Sequence, residues 1–584
     1  MERVNTLMIA KLNKITNWQA ALIIAILGFT VFSTGLVNQF WNDDITQIVN
    51  SLPVHSITNI RLFFEGGTFY NGHGLVPLSG VYYRPLMITV FSLLYTLFGA
   101  HPIAFHLFQL SLCIGSAIVL YLFFRYSFKA PLALFLSLVF LLHPIDSQGV
   151  FTIASMQDAL FFFFGILALY FLLRFSSIKS LIAVAACLFL SLLSKESGIL
   201  FVAMSLLYLF WWDRKRLYSF IGIMVLPIAL FLALRINAVG LIGHSNNAPI
   251  DSLNLSGRLL TAPSVLLFYI TKFIFPWKLA TAYYWVYPTF SCRHVLLPLA
   301  IDLTTVALVI YLAFVLRKKA SKAMFFTYLY FTAWSVFGLL MLLQIIPLDM
   351  TASEVWFYFP MAGVLGMAGV VLTVFPLRIR PSWLLIIAVL VISTLGIRTA
   401  TRGLDWRNPY SLAYKDVATS REDYAAYTSL AGYLIERGNF SQAKAYAERS
   451  ISIYPSYASY NDLGLASNYL GDYPEAVAAY SQGVKLYDSS TLYENLGALT
   501  LVYGSPGSNK QFLLSAVDKF PQDYKLWLYL AILEDRYNDN AGAKVAISNA
   551  ANYGQVPQFI YDHIMNNQPF TLNLGNTGKS IVIQ

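Results

Sequence analysis

Charge is scarce in this chain. Only 12% of its 584 residues are Asp, Glu, Lys or Arg, while 57% are hydrophobic. A soluble globular chain carries about twice that charged fraction, so a wholly soluble enzyme is excluded. A disordered chain is excluded for the same reason, because it could not be this apolar. Cysteine is nearly absent. Cys113, Cys187 and Cys292 are the only three, and two of them lie inside apolar runs, so neither a disulfide framework nor a thiolate metal site is suggested. No His, Asp and Cys spacing makes a strong metal site either. Basic residues sit beside apolar segments rather than on one polar face, so no nucleic-acid partner is expected. What is abundant is aromatic: Phe 44, Tyr 37 and Trp 11 suit a large membrane core with interfacial rings.

The formal net charge of +10 is unevenly spread. Residues 1–420 hold 28 Lys/Arg against 14 Asp/Glu, whereas residues 421–584 hold 11 against 15. The chain therefore reads as two objects, a basic membrane part and a mildly acidic soluble part. Apolar runs predict eleven spanning helices, near 19–37, 103–124, 130–147, 157–174, 180–194, 197–212, 217–234, 295–316, 323–346, 355–375 and 382–398. With the N-terminus and its Arg3, Lys11 and Lys14 in the cytoplasm, the basic clusters all fall on the inner side. These are Arg125/Lys129, Arg174/Lys179, Arg214/Lys215/Arg216, Arg317/Lys318/Lys319/Lys322 and Arg378/Arg380, as the positive-inside rule requires. Asp43, Asp44, Glu65, Asp146, Glu196, Asp349 and Glu354 fall on the other side. The alternation holds only if two apolar stretches, 86–99 and 259–275, do not cross and instead lie at the outer face. Two long outer loops result, 38–102 and 235–294.

After residue 420 a period appears. Leu430-Ala431, Leu463-Gly464, Leu496-Gly497 and Leu530-Ala531 recur at 33, 33 and 34 residues, and Gly438-Asn439-Phe440 recurs as Gly471-Asp472-Tyr473. Helix pairs with small residues at close-packing positions fit tetratricopeptide (TPR) repeats. Such units bury their apolar stripes by stacking, and the stack leaves a concave face suited to a peptide. The expected fold is all-α: a polytopic membrane domain over 1–402, a connector over 403–426, a TPR solenoid over 427–565 and a tail over 566–584.

Polar residues at the outer ends of spans are the candidates for chemistry. Asp43 and Asp44 follow the first span directly; one can take a proton from a hydroxyl while the other orients it, or the two can help hold Mg²⁺ or Mn²⁺ through oxygen. Arg84, entering an interfacial helix before Pro85, can clamp a phosphate with paired donors. His143, Asp146 and Asp158 form a third cluster, Lys195 and Glu196 a fourth; Glu354, Arg235 and His244 complete the set.

These segments resemble the GT-C superfamily of integral-membrane glycosyltransferases, specifically the transmembrane-and-TPR O-mannosyltransferases and their bacterial relatives. The matching pieces run in order: FWNDD (40–44), YYRPL (82–86), FHLFQL (105–110), HPIDSQGV (143–150) with Asp158, LLSKESGI (192–199) and SEVWFYFPMAG (353–363). The resemblance implies a polyprenyl- or dolichyl-phosphate-linked sugar donor, transfer outside the cytoplasm, and an acceptor protein held by the repeats. It implies that the family's acidic residue is Asp43 or Asp44, its Arg-Pro element Arg84-Pro85, its loop His-Pro element His143-Pro144, and its Lys-Glu element Lys195-Glu196. This chain departs from the family at Gln148, Met156 and Val355, where a carboxylate and two guanidiniums are usual. A bacterial cell membrane is expected in preference to the endoplasmic reticulum, with the repeats non-cytoplasmic. The alternative from another class is a non-enzymatic membrane-anchored TPR scaffold for envelope proteins.

Overall fold

The computed structural model describes residues 15–70, 75–240, 248–377, 379–566, 570–573 and 580–583. Arg3, Lys11, Lys14, His244 and Arg378 lie outside the described residues. The chain divides into two compact units, Met1–Leu412 and Ala413–Gln584.

The first unit is a helical bundle. Its helices are α1 (Asn17–Phe32), α2 (Ile60–Glu65), α3 (Pro85–Phe98), α4 (Pro102–Phe124), α5 (Ala130–Leu142), α6 (Gln148–Phe151), α7 (Met156–Arg174), α8 (Ser180–Ser194), α9 (Ile199–Trp212), α10 (Arg214–Val239), α11 (Leu255–Ile274), α12 (Leu297–Lys319), α13 (Lys322–Leu342), α14 (Tyr358–Val374) and α15 (Pro381–Asp405). Helix starts carry their own signals: a Thr16/Gln19 capping box opens α1, Ser321 caps α13, and Pro stands in the first turn of α4 and α5. A large aromatic and aliphatic core that includes Phe124, Phe162, Phe201, Trp334 and Phe331 runs through the bundle, beside smaller clusters. Small residues let these helices approach closely. A Cβ at Gly366 would stand 2.2 Å from the Phe331 ring, so any larger residue there would force the helices apart.

Nine helices among the described residues are long and apolar enough to cross a membrane, or ten if the pair Ala130–Leu142 and Pro144–Phe151, bent by 43°, is one span. The protein is multi-pass. Eight of the eleven sequence-predicted spans are among the nine, and the third is the bent pair; Ser180–Ser194 and Glu196–Trp212 are shorter apolar helices. The ninth long helix is α11, one of the two stretches expected to stay at the outer face.

The bundle has a basic end and an acidic end. At the basic end Arg216 donates to the carbonyls of Leu172 and Phe175, and Arg125 closes the turn before α5 by donating to Phe128 O. Helices α5 and α13 both start at basic residues and finish at the acidic end. Both ends of α11 meet that finish: Arg258 donates to the carbonyls of Gln344 at 3.0 Å and Ile345 at 3.3 Å, just past α13, while Phe273 O accepts from His143 at 2.9 Å, just past α5. Twenty helical residues extend about 30 Å, so α11 lies across the acidic end instead of threading to the other.

The second unit, entered through α16 (Pro409–Thr419), is a series of helix pairs. They are α17 (Tyr424–Glu436) with α18 (Phe440–Ile453), α19 (Tyr457–Tyr469) with α20 (Tyr473–Leu486), α21 (Ser490–Thr500) with α22 (Pro506–Lys519), and α23 (Tyr524–Arg536) with α24 (Asn540–Tyr553). A short α25 (Gln558–Asn566) follows, then an antiparallel ribbon of β1 (Phe570–Asn573) and β2 (Ser580–Ile583). The repeated turn is explained by backbone geometry. Gly438, Gly471 and Asn538 all take positive φ, 73°, 80° and 62°, the left-handed C-terminal stop that Gly and Asn tolerate. Asp472 and Asp539 then cap the next helix. The period arises from this turn and from close packing, such as Gly464 against the Tyr480 ring.

Candidate active site

Helix ends, short 3₁₀ turns and loops at the acidic end bring the predicted polar residues together in two groups. The first is an open mouth. Asn42 has φ 48°, a conformation that Asn accepts at low cost, and the two carboxylates that follow have opposite surroundings. Asp44 is 1% exposed. Its oxygens accept from the backbone N–H of Trp41 at 3.1 Å and of Ala154 at 2.6 Å. Burial pushes its carboxyl up to about 7, although these hydrogen bonds pull the other way. Asp43 is open to solvent. The protein around it still thins its hydration and raises its carboxyl, Arg84 opposes that, and Asp349 adds to it.

Arg84 ends the extended approach to α3. Its guanidinium lies 4.4 Å from the centroid of the Tyr82 ring, a cation–π contact, and its Nε is buried without a protein partner. Burial and, after it, the charge of Asp349 drive the Tyr82 phenol strongly upward. Glu196 accepts from the Tyr83 N–H at 3.4 Å and faces Arg235 Nε at 3.6 Å. Arg235 in turn donates to Gly240 O at 2.6 Å.

The second group is interior. Lys195 Nζ pairs with Asp158 Oδ1 at 2.6 Å, with side chains 14% and 3% exposed. Asp158 Oδ2 and both oxygens of Asp146 are buried without partners in the protein. Glu354 accepts from the Ala280 N–H at 2.9 Å and the Tyr283 hydroxyl at 2.5 Å, and the charges of Arg402 and Lys272 reach it. The adjacent Lys195 and Glu196 join the two groups through the backbone.

His143 has both ring nitrogens engaged: Nε2 with Phe273 O at 2.9 Å and Nδ1 as acceptor from the Ile145 N–H at 3.2 Å. It caps the turn that carries Asp146 and leaves no lone pair for a metal or a proton. Asp43 and Asp44 do not form a two-carboxylate cradle, since Asp44 spends both oxygens on backbone. No group of three or more His, Cys, Asp or Glu able to hold a metal ion forms among the described residues, so this donor set does not fit a resident Mg²⁺ or Mn²⁺. At the positions where the chain departs from the family pattern, Met156 is a core residue packed with Phe105, Ile153 and Leu160, Val355 is buried, and Gln148 keeps a buried Oε1 without a partner.

Asp349 was legible in the sequence only as one more acid on the outer side. Its place in the mouth depends on the loop after α13, which Gln344 holds with three hydrogen bonds: from the Leu348 N–H and to the carbonyls of Met350 and Thr351, each 2.9 Å. Gln344 has φ 61°. A conserved-looking spacing does not mark such a loop; the one sequence signal is a Pro-Leu-Asp turn directly after a span.

No protein-family model matches the chain. Over 144 residues it is 31% identical to protein O-mannosyl-transferase TMTC1 of Mus musculus, a stretch that covers 24% of this chain and 15% of that protein. The Homo sapiens protein of the same name is 30% identical over 144 residues, 24% of this chain and 16% of its own length. The chain thus matches under a fifth of the length of these curated relatives, and within that stretch it resembles membrane O-mannosyl-transferases. Among solved structures, ArnT from Cupriavidus metallidurans bound to undecaprenyl phosphate aligns with a TM-score of 0.40 and 15% identity, covering 83% of this chain and 81% of that one.

Proposed function

We propose that this protein is a GT-C-type glycosyltransferase that moves one sugar from a polyprenyl-phosphate-linked donor to a protein Ser/Thr hydroxyl at the non-cytoplasmic face of a bacterial cell membrane. The observation that carries this reading is the mouth, where a solvent-open Asp43 stands in the field of Arg84, whose buried Nε has no protein partner. The apolar bundle beside it suits a lipid tail, and the similarity to O-mannosyl-transferases supports sugar transfer.

In the proposed reaction the acceptor oxygen attacks the anomeric carbon as Asp43 takes its proton. The bond from that carbon to the phosphate oxygen breaks, and its electron pair leaves with the lipid phosphate. Arg84 and Arg235 stabilise the charge that develops there. A phosphate leaving group needs little acid help. Asp44 holds the backbone that aims its neighbour. The helix pairs of the second unit bind an extended acceptor segment.

Donor turnover by the purified protein, by Asp43→Asn and by Arg84→Ala tests the chemistry. Loss of transfer in both variants with retained folding supports it; undiminished transfer in Asp43→Asn removes the base. Labelling from outside intact cells of single cysteines placed at the exposed positions 46 and 445 tests the topology. Protection of either site from a membrane-impermeant reagent would sink the non-cytoplasmic scheme.

A further inference from the structure

The C-terminal end of α11 gathers cations that the transfer scheme does not use. Lys272, in its last turn, donates from Nζ to Lys278 O and stands 5.5 Å and 5.4 Å from the ring centroids of Phe268 and Tyr283. Arg398 reaches the same turn from α15, where its Nη2 donates to Trp277 O at 3.0 Å. Two cations from two helices thus end on consecutive carbonyls, and Lys278 adds a third, exposed one. Each helix is fastened to the finish of α5 at the residue after its cation. Phe273 O accepts from His143 Nε2 at 2.9 Å, and Thr399 Oγ1 donates to Leu142 O at 2.8 Å. The cations are therefore held close by bonds other than their own.

The protein supplies little negative charge to balance them. None of Lys272, Lys278 and Arg398 forms an ion pair among the described residues. The acids whose fields reach them are committed elsewhere. Glu354 accepts from the Ala280 N–H and the Tyr283 hydroxyl, and Asp405 faces Arg402 at 3.7 Å. With Arg402 counted, four cations face two carboxylates. Lys272 spends one of its three donors on the turn and Arg398 one of its five, so several N–H groups are left for an anion.

The surroundings define which anion fits. Ile274, Phe275, Trp277 and Ile397, beside these cations, are all more than half exposed, an apolar rim with Trp at the level where such rings meet headgroups. A soluble anion would leave that rim bare. A lipid covers it with glycerol and acyl chain while its phosphate meets the cations. A zwitterionic headgroup brings a cation of its own into a positive cluster, and an anionic headgroup does not. We propose that Lys272, Lys278 and Arg398 form a site for the phosphate of an anionic glycerophospholipid from the surrounding bilayer. The site uses no residue of the mouth, and it holds whether or not the mouth takes a sugar lipid. The bound phosphate ties α11 and α15 to the turn between them, and that turn leads into the Ala280 N–H and Tyr283 hydroxyl that hold Glu354.

The test uses the full-length protein in nanodiscs with equal amounts of phosphatidylglycerol and phosphatidylcholine. The readout is the ratio of the two lipids retained on the protein in native mass spectrometry. The wild type retains phosphatidylglycerol preferentially. Lys272→Gln and Arg398→Gln each lower the ratio by about fivefold, as expected for one cation at a lipid surface; Lys278→Gln, fully in solvent, lowers it less. Raising salt from about 0.05 M to about 0.5 M narrows the wild-type ratio, a measurement that needs no variant to fold. Arg84→Ala keeps the wild-type ratio, because the mouth takes no part. Equal retention of both lipids by the wild type, or an unchanged ratio in Lys272→Gln with Arg398→Gln, would overturn the site. So would loss of the preference in Arg84→Ala, or displacement of phosphatidylglycerol from the wild type by an equal amount of undecaprenyl phosphate, since either result would place the lipid in the mouth.

Discussion

The two units treat polar groups in opposite ways. In the helix pairs, cations reach across repeats to acids, most of them partly exposed: Lys444 to Glu475, Lys510 to Asp539 and the buried Glu534, Lys519 to Asp488, and Lys525 to Glu494. In the bundle the acids go inward, and several end with oxygens that no protein group satisfies, as in Asp146 and Asp158. A buried unsatisfied carboxylate costs far more than a solvated ion pair returns. The ion pairs of the repeats thus serve stacking, whereas the acidic end of the bundle keeps carboxylate oxygens that no protein group satisfies.

The sharpest way to break this contrast is at the mouth. Asp43→Asn should lower donor-dependent transfer by about a hundredfold or more, the usual contribution of a general base, without a change in thermal stability. Transfer and melting curves on the same preparation check it; a matching fall in stability would make Asp43 structural. Next in size is the interior pair. Lys195→Ala leaves the Asp158 carboxylate buried and alone, at a cost of about 3–5 kcal/mol, and detergent stability should drop accordingly. Lys195→Met with Asp158→Leu should recover most of it.

In the repeats, effects should be smaller. Asp462 keeps part of its surface open, yet the protein around it pushes its carboxyl up to about 7. The folded state then binds this proton more tightly than the unfolded one does. Stability contributed by the bound proton is present below about pH 4 and is lost as pH rises toward about 7. Hydrogen exchange in α19 should therefore quicken over that window, and Asp462→Asn should flatten the dependence. Smallest of all, Lys444→Ala removes an exposed pair and should cost under about 1 kcal/mol. A larger loss would show that the inter-repeat pairs do more than decorate the stack.

What the sequence made legible follows the range of the forces involved. Helices were readable because an apolar run and its flanking Lys or Arg are local. The repeat was readable because Gly438 and Gly471 mark the same positive-φ stop one period apart, with Gly504 a period further on; Asn538, in the fourth pair, breaks the pattern in letters but not in geometry. Charge alternation predicts a flat course for α11, while its length and composition would allow a crossing. The site was legible only as a set of outer acids and bases. That Asp43 faces solvent while Asp44 is buried is not encoded by any side-chain pattern. The influence of Asp349 on Tyr82 joins segments more than 260 residues apart in the chain, and the approach of Lys272 and Arg402 to Glu354 also brings separate segments together. These are products of closure, which a linear reading does not contain.

The course of α11 has a mechanical consequence. It is a stiff rod pinned at one end by Arg258 to the start of the Asp349 loop and at the other by Phe273 to His143. Two loops far apart in the chain are thereby yoked: if one swings aside to admit a bulky guest, the rod must travel with it and drag the other, or a pin must snap.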